Sequence, residues 1–133
     1  MKKILVTGAA GFLGSHLCEN LQNLNYKVVG IDSMIGGDID NLPKNLEFHK
    51  MDCCDFDSLN KIMKGVDIVY HCAATAHEGL SVFSPVEISK NNYLATVSVI
   101  TAAINNKAKR IIYCSSMARY GNQQTPFTED MEP

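Results

Sequence analysis

The sequence predicts an α/β fold built on a doubly wound parallel sheet, and three observations carry that prediction. Short β-branched apolar bursts alternate with stretches of helical periodicity along the chain, the bursts are apolar on both faces, and the first runs straight into three glycines, Gly8, Gly11 and Gly14. Strands separated by helices and buried on both sides form parallel sheets with a helical layer on each face. Right-handed crossovers then wind the sheet in two directions, and ligands bind beyond the C-terminal strand ends. The residues that follow each strand are therefore the candidates for function.

Residues 3–7 (KILVT) read as the first strand. The glycines after it suit a chain that must turn sharply and bring its backbone close to a phosphate. Leu13, Leu17, Leu21 and Leu24 then form one stripe of an amphipathic helix that Asn25 stops. Residues 27–32 (KVVGID) form a second strand, a Gly36-Gly37 loop follows, and residues 46–52 (LEFHKMD) form a third. Asp57 or Ser58 is expected to cap a helix that carries Leu59, Ile62 and Met63 and ends near Gly65. Residues 67–74 (DIVYHCAA) read as the fourth strand. A long helix is expected from about Pro85 to Asn106, with Tyr93, Val97, Ile100 and Ile104 on one stripe, and residues 110–116 (RIIYCSS) as the fifth strand.

A chain of 133 residues fits one domain, taken here as residues 1–133. Twelve basic against 14 acidic residues give a net charge of −2 with no basic tract, which points away from nucleic acid and from anionic membranes. The apolar runs fall short of the roughly 20 residues of a spanning helix, so a cytoplasmic protein is expected. Five cysteines, with no CxxC and no zinc-ligand spacing, read as small buried hydrophobes in a reducing compartment.

At the strand ends the chemistry accumulates. Gly8, Gly11, Phe12, Leu13 and Gly14 would hold a pyrophosphate against the first N–H groups of a helix. Asp32, 18 residues past Gly14, suits a carboxylate that accepts hydrogen bonds from the adenosine ribose and repels a 2′-phosphate, favouring NAD over NADP. Asp52 and Cys53 are expected at the adenine edge. The DCCDFD run reads as caps and helix-dipole partners rather than a metal site. Ala73 and Ala74 let the backbone pass close to the cofactor. His71 reads as a packed, hydrogen-bonded histidine and His77 as a loop residue open to a substrate. Ser115 and Ser116 either cap a turn or hold a substrate hydroxyl, and spacing leaves both open.

These residues resemble the extended short-chain dehydrogenase/reductase family, and more narrowly its NAD-dependent nucleotide-sugar epimerase/dehydratase group. TGAAGFLG is similar to the family's TGxxGFxG, whose first glycine gap is one residue wider than in GxGxxG. ID at 31–32, MD at 51–52, HCAA at 71–74, KNNYLAT at 90–96 and SSMARYG at 115–121 resemble the later motifs in the family's order.

The resemblance implies a Rossmann domain that binds NAD. Cys72, Ala73 and Ala74 would line the cofactor, Asn92 would lie near the nicotinamide, with Ala95 replacing a usual glycine, and Ser115 would stand beside a catalytic Ser116 that hydrogen-bonds the reacting sugar hydroxyl. It also implies a nucleotide-sugar substrate and a homodimer built through helix pairs. The family's acid/base tyrosine and lysine lie in a YxxxK motif beyond the last residue here. Tyr120 does not replace that tyrosine, since no lysine follows it. The resemblance thus implies an incomplete domain, an N-terminal fragment that lacks the last strands and the substrate domain, inactive by itself and prone to self-association through the fifth strand. Met117 and Ala118 cannot exchange protons, which favours an epimerase or keto-sugar reductase over a dehydratase or decarboxylase. A non-catalytic NAD-binding or redox-sensing module is the alternative.

Overall fold

A computed structural model describes residues 1–77 and 79–132. Five parallel strands, β1 (Lys3–Thr7), β2 (Lys27–Asp32), β3 (Glu47–Lys50), β4 (Ile68–His71) and β5 (Arg110–Tyr113), form one sheet in the order β3-β2-β1-β4-β5. The chain moves outward from β1 to β3, returns to the centre and moves outward again to β5, as a doubly wound sheet requires. Register pairs Leu5 with both Val29 and Val69 across the three central strands.

The alternation of side chains across the sheet divides the core in two. Helix α1 (Phe12–Asn23) covers one face, where Cys18 and Leu21 pack on Ile4, Val6 and Val28. Helices α2 (Phe56–Ile62) and α5 (Ala95–Asn105) cover the other, where Leu59, Met63, Val99 and Ala102 pack on Leu5, Val29 and Val69. Asn25, in the left-handed region at φ 60°, stops the chain just after α1, as expected. No helix among the described residues is long and apolar enough to cross a membrane.

Four expectations are corrected. The cap of α2 is Asp55, whose side chain accepts from the Ser58 N–H at 3.3 Å, rather than Asp57 or Ser58. Strands β4 and β5 end at His71 and Tyr113, three residues short of the apolar-to-small runs, because Cys72 and Cys114 take the last interstrand bonds and the chain then leaves the sheet.

The long helix is continuous from Pro85 to Asn105 but not uniform: α4 (Pro85–Ile88) passes through a π-helical turn over Ser89–Leu94 into α5, while a short α3 (Leu80–Phe83) precedes it. Finally, its stripe of Tyr93, Val97, Ile100 and Ile104 is exposed. The buried stripe is Ala95, Ser98, Val99, Ala102 and Ala103, whose small side chains let the helix lie close on the sheet.

Candidate functional site

A cleft of about 270 Å³ opens at the C-terminal ends of β1, β2 and β4. Its floor is the loop after β1. Gly8 has φ +69°, and a Cβ there would lie 2.8 Å from the Ala73 nitrogen, so only glycine lets this loop pass against the segment after β4. At Gly14 an added Cβ would run into the Gly8 carbonyl, so the helix also needs glycine to start this close to the loop. Gly11 is the N-cap of α1 and supplies no side-chain acceptor, and no acidic residue stands in the first turn. The opening N–H groups of α1 are thus left for an external anion.

Asp32, buried at the end of β2, forms the next wall. Its carboxylate accepts from the Ala10 N–H at 3.0 Å and the Met34 N–H at 2.8 Å, which fixes it against the glycine loop. Gly37 folds back so that an added Cβ would meet Ala10 and Asp32, and Asp38 N–H bonds the Ala10 carbonyl at 3.0 Å. The Gly36-Gly37 loop therefore forms a rim of the cleft.

At the far side lie Asp52 and Cys53. Partial burial works to raise the Asp52 carboxyl, but the Cys54 N–H at 2.8 Å and the Lys90 ammonium at 3.0 Å outweigh it and hold the carboxyl below its usual range. Burial, reinforced by Asp52, pushes the Cys53 thiol up to about 12. Cys53 therefore presents a neutral, apolar surface to the cleft.

A directed chain of hydrogen bonds sets the segment after β4. Thr96 Oγ1 donates to the Asn92 carbonyl at 2.6 Å, so at 2.9 Å it must accept from His71 Nε2–H. His71 Nδ1 is then an acceptor, to which the Thr7 hydroxyl donates at 2.7 Å, while Thr7 Oγ1 accepts from the Ala73 N–H at 3.1 Å. Burial lowers the His71 pKa to about 4, which agrees with the neutral ring that this pattern needs. The packed, hydrogen-bonded reading of His71 holds. The π turn contributes next: Asn92 Oδ1 accepts from the Thr75 N–H at 2.7 Å, its amide donates to the Thr75 carbonyl at 3.2 Å, and Asn91 donates to Thr75 Oγ1 at 3.1 Å. A widened turn lets two consecutive asparagines serve one segment.

Of the expected site residues, Gly8, Gly11, Asp32, Asp52, Cys53, Cys72, Ala73 and Ala74 line the cleft, and His77 joins them. Gly14 and Asn92 support the wall from behind. Phe12 and Leu13 expose their side chains, at 82% and 54%, and lie outside the lining of this cleft.

Ser115 and Ser116 are exposed and lie outside the lining. Ser116 Oγ accepts from the Ala118 N–H at 3.1 Å and caps a 3₁₀ turn over Met117–Tyr120; Ser116 thus takes the capping geometry of the two readings. Tyr120 stacks on Phe127 at 5.0 Å. Sequence reasoning missed Thr75 and Asn91. The repeated asparagine in KNNYLAT was the available signal.

The description "NAD dependent epimerase/dehydratase family" matches residues 4–133. The chain is 32% identical over 143 residues to a UDP-glucose 4-epimerase of Neisseria meningitidis serogroup C, covering 100% of this chain and 42% of that protein. It is 30% identical over 132 residues to a UDP-N-acetyl-alpha-D-glucosaminuronate decarboxylase of Bacillus cytotoxicus, covering 97% and 41%. Among solved structures, a UDP-N-acetylglucosamine 4-epimerase from Methanobrevibacter ruminantium M1 superposes with a TM-score of 0.89 at 38% identity, covering 98% of this chain and 43% of that one. A UDP-glucose 4-epimerase from Brucella ovis in complex with NAD superposes with a TM-score of 0.91 at 30% identity, covering 99% and 41%. The chain thus spans about two-fifths of the length of the relatives it matches. Its glycine loop, acidic β2 end and five-stranded order agree with that match over nearly the whole sequence, and the chain belongs to the NAD-dependent epimerase/dehydratase family.

Proposed function

We propose that this chain is the NAD-binding part of a nucleotide-sugar 4-epimerase or keto-sugar reductase. The observation that carries the reading is the close approach of Gly8 to Ala73 in a cleft that Gly11 and the buried carboxylate of Asp32 also line. A dinucleotide fits that donor set. Its pyrophosphate would take the N–H groups of the Gly11–Gly14 turn, its adenosine ribose would donate to Asp32, and its adenine would lie against Asp52 and Cys53. The Ala10 and Met34 N–H groups hold the Asp32 side chain at this position, where a carboxylate repels a 2′-phosphate, so NAD is preferred over NADP.

NAD, when bound, supplies a hydride acceptor and donor for a sugar carbon. The chain's own residues orient it: Ala73, Ala74 and Cys72 form the surface beside the second ribose, and Asn92 fixes Thr75 behind it. Ser116, on the rim after β5, is our candidate to hydrogen-bond the reacting sugar hydroxyl, once its Oγ is released from the Ala118 N–H. Met117 and Ala118 carry no exchangeable proton, which supports simple oxidation and reduction over elimination or decarboxylation.

Isothermal calorimetry tests the reading. NAD should bind, NADP should bind at least tenfold more weakly, and UDP-glucose with NAD should give no turnover in this chain. Failure of NAD to bind well-folded protein would overturn the assignment, and turnover would overturn the exclusion of Tyr120 as the acid/base group. We further propose that two copies pair through the exposed stripe of Tyr93, Val97, Ile100 and Ile104, and that the protein works in the cytoplasm, a reading supported by five free cysteines.

A further inference from the structure

Cys72 and Cys114 are 42 positions apart in the sequence, yet their sulfurs lie 3.7 Å apart with the Cys114 thiol directed at Cys72. The strand register brings them together. Tyr70 sits opposite Ile112 and His71 opposite Tyr113, and the Cys114 N–H bonds the His71 carbonyl at 3.3 Å. One position further along, both cysteines project from neighbouring strands to the same face of the sheet, where Cys72 packs beside the cluster that holds Cys18. Access differs within the pair: Cys72 is half-buried and Cys114 exposed. Burial, then the neighbouring Cys114, pushes the Cys72 thiol up to about 12. It is exposure that makes Cys114 the first to meet an oxidant, and proximity that makes Cys72 the thiol to resolve it.

We propose that Cys72 and Cys114 are a modification site, forming a reversible intramolecular disulfide in response to hydrogen peroxide and clasping the two strand ends that lead to the cleft. The Cys114 sulfur attacks peroxide, its O–O bond breaks, and Cys114 becomes a sulfenic acid with release of one water. The Cys72 sulfur then attacks the sulfenic sulfur. The S–S bond forms, the S–O bond breaks, and the hydroxyl leaves as a second water with the Cys72 proton. The two thiols lose two electrons and peroxide gains them.

A disulfide bond of about 2.05 Å asks the sulfurs to close by roughly 1.6 Å from their present separation. Ala73 follows one cysteine and Ser115 the other, so the bond would tie the wall of the cleft to the rim that carries Ser116. The bond forms whatever occupies the cleft, and its test contains no nucleotide.

The chain is treated with hydrogen peroxide, alkylated after unfolding and digested without reductant. The expected result is a peptide joining Cys72 to Cys114, a fall from five alkylatable thiols to three, and full recovery with dithiothreitol. In the Cys114→Ser variant, an exposed and conservative change, the cross-link should vanish and Cys72 should stay alkylatable. Amide exchange over residues 73–75 and 115–117 should slow severalfold in the oxidised chain and recover on reduction. Oxidation of Cys114 to a sulfinic acid with Cys72 still free, cross-links to Cys18 or between chains, or unchanged exchange would each overturn the proposal.

Discussion

The strand ends of β1, β2 and β4 and the strand end of β5 face the same side of the sheet but are built differently. At the first three, Thr7, Asp32 and His71 are buried, and besides the local bond from the Met34 N–H to Asp32 their side chains bond to partners 22 to 66 positions away. At β5, Tyr113, Cys114, Ser115 and Ser116 are exposed, and Ser116 is held by a bond two positions away. The difference is one of preorganisation. The cleft walls are fixed by the tertiary fold, whereas the serine rim keeps only the shape that its own turn gives it.

The strongest way to break this comparison is Gly8→Val. A β-branched side chain at a left-handed φ costs about 1–2 kcal/mol, and its Cβ would lie 2.8 Å from the Ala73 nitrogen, so we expect a total loss of about 3 kcal/mol or more together with loss of NAD binding. Denaturant unfolding and calorimetry measure both, and unimpaired binding would mean that the loop is not the fixed wall described.

The His71 relay should appear as pH dependence of comparable or slightly smaller size. Burial holds the folded-state pKa at about 4 against an ordinary 6.5, so the unfolded chain takes up the proton first on acidification. Stability is then complete above about pH 6.5 and declines as pH falls toward 4, by about 3 kcal/mol in all. Unfolding curves between those limits should show the slope, and His71→Leu should flatten it from a lower starting stability.

A smaller effect is expected from Asp32→Asn. NAD affinity should fall about tenfold, or roughly 1.4 kcal/mol, and the preference over NADP should narrow in the same titration. Smallest of all is Ser116→Ala, which should change stability by no more than about 0.5 kcal/mol and leave NAD affinity unchanged. A large loss there would show the rim to be part of the rigid wall and would erase the contrast.

Much of this was legible because local chemistry and global fold agree. The glycines at 8, 11 and 14, the apolar bursts and the carboxylate of Asp32 each answer a local need of a doubly wound sheet. The long helix was less legible. Periodicity reveals an apolar stripe, but it does not say which stripe is buried, and the small residues Ala95, Ala102 and Ala103 pack more closely than Tyr93 or Ile104 could. Asp55 stands beside two residues of equal capping ability, Asp57 and Ser58, and residue type does not choose among them. The meeting of Cys72 with Cys114, and of His71 with Thr7 and Thr96, depends on strand register across long sequence separations, which no local pattern encodes.

The π-helical turn at Ser89–Leu94 works as a phase shifter. It lets the residues before Ala95 keep one angular setting, with Asn91 and Asn92 on Thr75, while those after it keep another, with Val99 and Ala102 on the sheet. Length is therefore a separate variable from composition here. Deleting a single residue from the turn would restore uniform winding and force the chain to choose between cleft and core. Core burial would win that choice, and the asparagines would swing away from the cleft with no change in their identity.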